Sequence, residues 1–211
     1  MKYLFLNRRS FIILLTMRRK EGNKEQDIIA AAIEVFAKEG YHEAKISNIA
    51  ELANVATGSV YLYFESKEDL LVKIFSGLWI KLISLVKSIY DRDDLSSIEK
   101  LEGFIDTVFD VFTANAKLAL LFVKEQPHFL QDKNNKLNDL YNNFLEIGEK
   151  ILDEGSKNNS FNKNLDKSIT KNFVYGGVRH LLHLWALNPS EYPLNKVRQD
   201  IKYIVKKGIL I

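Results

Sequence analysis

Cysteine is absent from this 211-residue chain, so disulfides, thiolate metal sites and a cysteine nucleophile are all excluded. Histidine occurs only four times, at scattered positions, which makes a histidine-built metal centre a poor expectation. Three prolines and 10 glycines leave few turn signals. The long stretches of Leu, Ile, Lys, Glu and Ala between them repeat with helical spacing, which predicts an all-α fold. Long hydrophobic runs are also missing: Phe11 to Leu15, the apolar stretch near the start, lies between Arg8–Arg9 and Arg18–Arg19 and falls far short of the roughly 20 residues that span a bilayer. No small-x-small cleavage pattern follows it. The chain is therefore expected to act in the cytoplasm with no membrane partner, and translation is expected to start at Met17.

What is present supports a globular protein. Apolar residues make up 46% of the chain, enough for a buried core at this length. The net charge of +3 hides an uneven distribution. Residues 1–24 carry seven Lys and Arg against one acid, a balance of +6, whereas residues 25–70 carry three against nine, a balance of −6. An expected basic arm, residues 1–22, thus precedes an acidic segment. Bulk electrostatics do not identify residues 25–70 as a nucleic-acid binder, so any such reading must rest on a motif.

Periodicity and stop signals divide the chain. Lys24 to Glu39 carries an apolar stripe at Ile28, Ile29, Ala32, Ile33, Val35 and Phe36 and stops at Gly40. Ile46 to Ala53 reads as a short second helix, after which Asn54 suits a left-handed turn. Thr57 to Phe64 forms a third, and Ser66 caps a long fourth helix running from Lys67 to about Tyr90, with Glu68 and Asp69 favourably placed in its first turn. Beyond the connector 91–97, helices are expected over Ile98–Asn115, over a shorter segment that breaks or kinks at Pro127, over Asn135–Glu154 closed by Gly155, over Asp166–Leu187, and over Leu194–Lys207.

Two short helices joined by a tight turn, the second offering small polar and tyrosine side chains, are the arrangement that lets a helix enter the major groove. In the segment from Ile46 to Leu71, Ile49, Ala50, Ala53, Val55, Val60 and Phe64 would lock three helices together. Left outside are Thr57, Gly58 and Ser59, whose backbone N–H groups and short side chains can approach bases or phosphate. Tyr61 and Tyr63 can donate hydroxyls to phosphate oxygens, and Lys67 can add a charge beside them.

The string TGSVYLYFESKEDLL from Thr57, with Gly40–Tyr41 and the Ile49–Ala50 pair, resembles the tetracycline-repressor (TetR) family of bacterial regulators over about residues 24–71. The resemblance implies DNA contacts at Lys45, Ser47, Thr57, Gly58, Ser59, Tyr61, Tyr63 and Lys67. Three positions depart from the family's habit: Lys45 stands where Thr usually caps the second helix, Asn54 where Gly usually turns, and Ala56 where Ser usually precedes the third helix. Each missing cap costs around 1 kcal/mol.

After Leu71 there is no nucleophile, metal cluster or paired acid and base, so neither catalysis nor a cofactor is expected. The resemblance implies instead that residues 23–66 form the helix-turn-helix domain and residues 67–211 a helical effector-binding and dimerisation domain, the last two long helices pairing across a two-fold axis with Gly176–Gly177 allowing close approach. The body is rich in apolar residues, and its candidate pocket positions are Phe104, Phe109, Phe112, Phe122, Glu125, Phe144 and Arg179. An elongated hydrophobic or acyl-type effector would suit them, and the pattern is similar to the fatty-acid-degradation repressors of the family. The partners implied are double-stranded DNA, a second copy of the chain, and a small molecule whose binding moves the fourth helix like a lever. A helical protein-interaction adaptor without sequence-specific DNA binding is the rival expectation.

Overall fold

The computed structural model describes residues 23–129 and 136–210. The expected basic arm and the Met17 start lie outside the described residues. Among the described residues nine helices follow one another: α1 (Lys24–Glu39), α2 (Ile46–Leu52), α3 (Thr57–Val60), α4 (Lys67–Tyr90), α5 (Ser97–Thr113), α6 (Ala116–Phe129), α7 (Lys136–Lys157), α8 (Lys167–Leu187) and α9 (Leu194–Ile209). The extended pairing among the described residues is a single bridge, Phe161 with Leu210.

Local chemistry sets the helix ends. The Asn23 side chain accepts from the Gln26 amide at the start of α1, and Gly40, at φ 83, donates its N–H to the Phe36 carbonyl at its end. Asn54 turns the chain at φ 57, a conformation that asparagine tolerates better than most side chains. Ser66 accepts from the Asp69 amide at 3.0 Å to begin α4, and Ser96 with Glu99 forms a reciprocal capping box at α5. Asp166 caps α8 from outside it.

The third helix, expected to Phe64, ends at Val60, and two boundaries expected at a glycine and a proline move outward. α7 does not stop at Gly155 but continues to Lys157, and the chain reverses at Asn159, whose φ is 60. Gly155 is needed for packing: a Cβ there would lie 2.0 Å from the Phe161 ring, which is almost fully buried over that turn. α6 continues past Pro127 to Phe129. A proline so close to a helix end forfeits one backbone bond without disrupting turns beyond it.

The core is continuous from α1 to α9. α4 packs along α7 and α5, while α6 lies against both α1 and α8 and so joins the first three helices to the rest. Trp79 of α4 sits at the centre, with ring centroids of Phe122 and Phe144 each 5.3 Å away and Tyr141 at 5.5 Å. Such edge-on and tilted aromatic contacts add to area burial by about 0.5–1.5 kcal/mol each. The buried Lys100, 5% exposed, is paired: it donates to Glu154 at 2.9 Å, and Ser97 donates to the same carboxylate at 3.0 Å. Among the described residues no helix is long and apolar enough to cross a membrane.

Candidate nucleic-acid interface and effector cleft

α2 and α3 are held against α1 by buried apolar side chains and by a side-chain hydrogen bond. Ile49 and Ala50 of α2 and Val60 and Phe64 at α3 are buried against Ile28, Ala32 and Phe36 of α1. Asn48 donates to both carboxylate oxygens of Glu39, at 3.1 and 3.0 Å, tying α2 to the end of α1. Neither Lys45 before α2 nor Ala56 before α3 supplies a side-chain cap, so these helices rely on tertiary packing. Past Val60 the backbone keeps its helical hand: Leu62 N–H donates to the Ser59 carbonyl, and Tyr63 and Phe64 donate to Val60.

The residues expected to touch DNA fall into two groups. Lys45, Ser47, Thr57, Gly58, Tyr61 and Tyr63 are exposed, with Ser59 half-buried beside them. They lie on α3 and the turn that continues it and at the start of α2. Lys67 is different. Its ammonium donates to the carbonyls of His42 (2.8 Å) and Ala44 (3.1 Å) and lies 4.9 Å above the Tyr41 ring. That engagement fastens the loop before α2 to the first turn of α4, a positioning role that composition gave no means of anticipating. Sequence reasoning also passed over Leu62, which is 82% exposed between the two tyrosines. Its signal was its place opposite Val60 and Phe64 on the helix.

The candidate pocket residues also separate. A cleft opens between α5, α7 and α8, lined chiefly by Phe104, Val108, Leu145, Val174 and Tyr175, with Thr170 and Lys171 as polar contributions. Only Phe104 of the expected set lines it. Phe109, Phe112, Phe122 and Phe144 are buried in the aromatic core, where Phe112 and Phe122 lie 5.0 Å apart and Phe144 lies 4.8 Å from Phe104. Glu125, 8% exposed, sits where α6 meets α1, and its charge, behind burial and Glu68, helps push the Tyr41 hydroxyl above its ordinary pKa. Arg179 is half-buried near Tyr141. Burial first, and then its neighbours His180, Lys124 and Arg179, hold the His183 imidazole below its ordinary pKa. Among the described residues none of these four enters an ion pair.

α8 and α9 carry a second uncovered surface. Ile169 (71% exposed), Phe173 (74%) and Leu187 (56%) lie on one side of α8, continued by exposed Gly177 and His180 at helical spacing, and Tyr203 and Ile204 extend the stripe onto α9. A Cβ built on Gly176 or Gly177 would meet nothing within 4 Å. The opposite faces of these helices are clamped by charge: Lys171 pairs with Glu149 and Lys167 with Asp153, while Arg198, Lys202 and Lys206 of α9 face Asp110, Asp106 and Glu102 of α5.

Residues 28–74 match the family described as bacterial regulatory proteins, tetR family, and residues 80–208 match the YsiA-like protein, C-terminal region. The chain is 28% identical over 191 residues to the fatty acid metabolism regulator protein of Bacillus subtilis, covering 90% of this chain and 98% of that one. It is 24% identical over 155 residues to the transcriptional repressor KstR2 of Rhodococcus jostii, covering 73% and 76% of the two chains. Its fold superposes on the fatty acid degradation regulator FadR of Bacillus halodurans with a TM-score of 0.80 at 28% identity, over 90% of this chain and 98% of that one. The FadR of Bacillus subtilis solved in complex with stearoyl-CoA gives 0.75 at 29% identity, over 87% and 98%.

Proposed function

The chain belongs to the TetR family of transcriptional regulators, and from that premise we propose that it is a cytoplasmic repressor that binds its operator as a homodimer and is released by a long-chain acyl thioester. The observation that carries the DNA-binding part is the rigid mounting of an exposed, hydroxyl-rich helix on a three-helix unit. Val60 and Phe64 are buried while Thr57, Gly58, Tyr61 and Tyr63 stand outside. Lys45, Ser47, Thr57, Gly58, Ser59, Tyr61 and Tyr63 supply the contacts in this reading, and Lys67 sets the height of the loop that carries Lys45. The uncovered stripe from Ile169 to Ile204 supports self-association, since burying such side chains contributes about 1.5–3 kcal/mol each. Two copies joined there would present two α3 helices to successive major grooves about 34–36 Å apart.

The effector assignment rests on the apolar cleft beside Phe104 and on the likeness to a regulator solved with stearoyl-CoA. An acyl chain suits the cleft, and Lys124 and Arg179 supply positive charge for an anionic head. Release requires the ligand to favour the arrangement that misplaces α3, because equal affinity for both arrangements shifts nothing. In the gel-shift test, upstream DNA bound by the protein is freed by micromolar palmitoyl-CoA and not by coenzyme A alone. DNA that binds equally with and without a C12–C20 series of thioesters removes the effector assignment and leaves the regulator reading intact.

A further inference from the structure

We propose that Leu62 is the principal base-reading side chain of this protein and that it reads the methyl group of a thymine in each half-site. The proposal rests on the DNA-binding reading above. Leu62 is 82% exposed, more than any other large apolar side chain among the described residues, and it stands between two half-exposed tyrosines on a surface otherwise built of hydroxyls. At 3.6 residues per turn it lies on the same side of the helix as Gly58 and opposite the buried pair Val60 and Phe64. That places it at the outermost point of the reading helix. Gly58, around which a Cβ would meet nothing within 4 Å, lets the backbone next to it come close to the duplex.

The chemistry narrows the target. From Thr57 to Phe64 there is no Arg, Lys, Asn, Gln, Asp or Glu, so this helix lacks the bidentate contacts that identify guanine or adenine and the carboxylate that singles out the cytosine amine. Its hydroxyls suit phosphates and read bases ambiguously. The one apolar feature on any base edge in the major groove is the thymine C5 methyl, which is the only group there that an isobutyl side chain can distinguish.

The test uses the full chain. Binding sites are first enriched from random duplex DNA, and each thymine of the enriched site is then replaced singly by deoxyuridine, which removes only the methyl. The expected result is one thymine per half-site whose replacement weakens binding about fourfold, the scale set by one buried methyl group, while Leu62→Ala loses at least as much and becomes indifferent to that same replacement. Because Leu62 is exposed, the variant should keep its circular dichroism and melting profile, and Leu62→Met should retain the uridine sensitivity. An enriched site at which no uridine matters, or at which wild type and Leu62→Ala lose equally, overturns the assignment and leaves DNA binding standing. Failure to enrich any sequence overturns both.

Discussion

Replacing Gly155 by alanine pits two physical effects of opposite sign against each other. Gly155 lies in the last turn of α7, where helix propensity alone favours alanine by roughly 0.8–1 kcal/mol. The new methyl carbon, however, would stand 2.0, 2.2 and 2.6 Å from three ring carbons of Phe161. The ring has nowhere to go. It is 2% exposed, its amide and that of Ser160 donate to the Gly155 carbonyl at 3.0 and 2.8 Å, and the next amide, Asn162, donates to the Ile209 carbonyl at 2.8 Å. The strand-like turn is thus fixed at both ends, and the ring must leave its site or α7 must shift. Contacts this short expel the ring, and loss of the buried ring at about 3–5 kcal/mol outweighs the propensity gain, so a net loss of about 2–4 kcal/mol is expected. Urea unfolding at fixed protein concentration measures it as a lower midpoint with an unchanged slope. The double variant Gly155→Ala/Phe161→Ala should be no less stable than Phe161→Ala alone, because the methyl then occupies vacated space. A Gly155→Ala protein as stable as wild type would refute the reasoning.

Other parts of the structure make separate predictions. Lys100→Ala should destabilise by about 2–3 kcal/mol, short of the usual cost of stranding a buried charge because Glu154 keeps a third of its surface in water, whereas Lys100→Met with Glu154→Leu should sit near wild type; denaturant midpoints distinguish the two. Phe173→Glu or Ile204→Glu should convert a species of twice the 24.4 kDa chain mass to monomer with helicity retained, as read by sedimentation. Since burial and neighbouring cations lower the folded pKa of His183, the unfolded chain binds the extra proton first. Stability should therefore hold above about pH 6.5 and fall as pH drops below it, less steeply in His183→Gln; parallel melting curves from pH 7.5 to 5.5 for both proteins would contradict this.

Much of the fold is legible because it is written in local chemistry. Gly40, Asn54 and Ser66 act through their own backbone or the next turn, and each does in three dimensions what its neighbours in sequence suggest. The stripes of α1 and α4 point inward for the same reason. What escaped is decided by distant partners. Gly155 looks like a helix stop until Phe161 is folded over it. Lys67 looks like a free surface charge until the carbonyls of His42 and Ala44 arrive from 25 and 23 residues away. The candidate pocket mixed Phe104, which lines the cleft, with Phe109, Phe112, Phe122 and Phe144, which fill the core, because composition cannot say which aromatic rings meet each other and which meet a space. Leu62 was missed because an apolar residue inside an amphipathic motif is ordinarily counted toward the core.

The measurement closest to the central claim is hydroxyl-radical footprinting of the gene's own upstream DNA by the purified protein. Two protected patches, about one helical turn apart or a multiple of it and lost together in Phe173→Glu, are the predicted result. An unprotected duplex at physiological salt, or a single patch indifferent to that substitution, would contradict a dimeric operator-binding regulator.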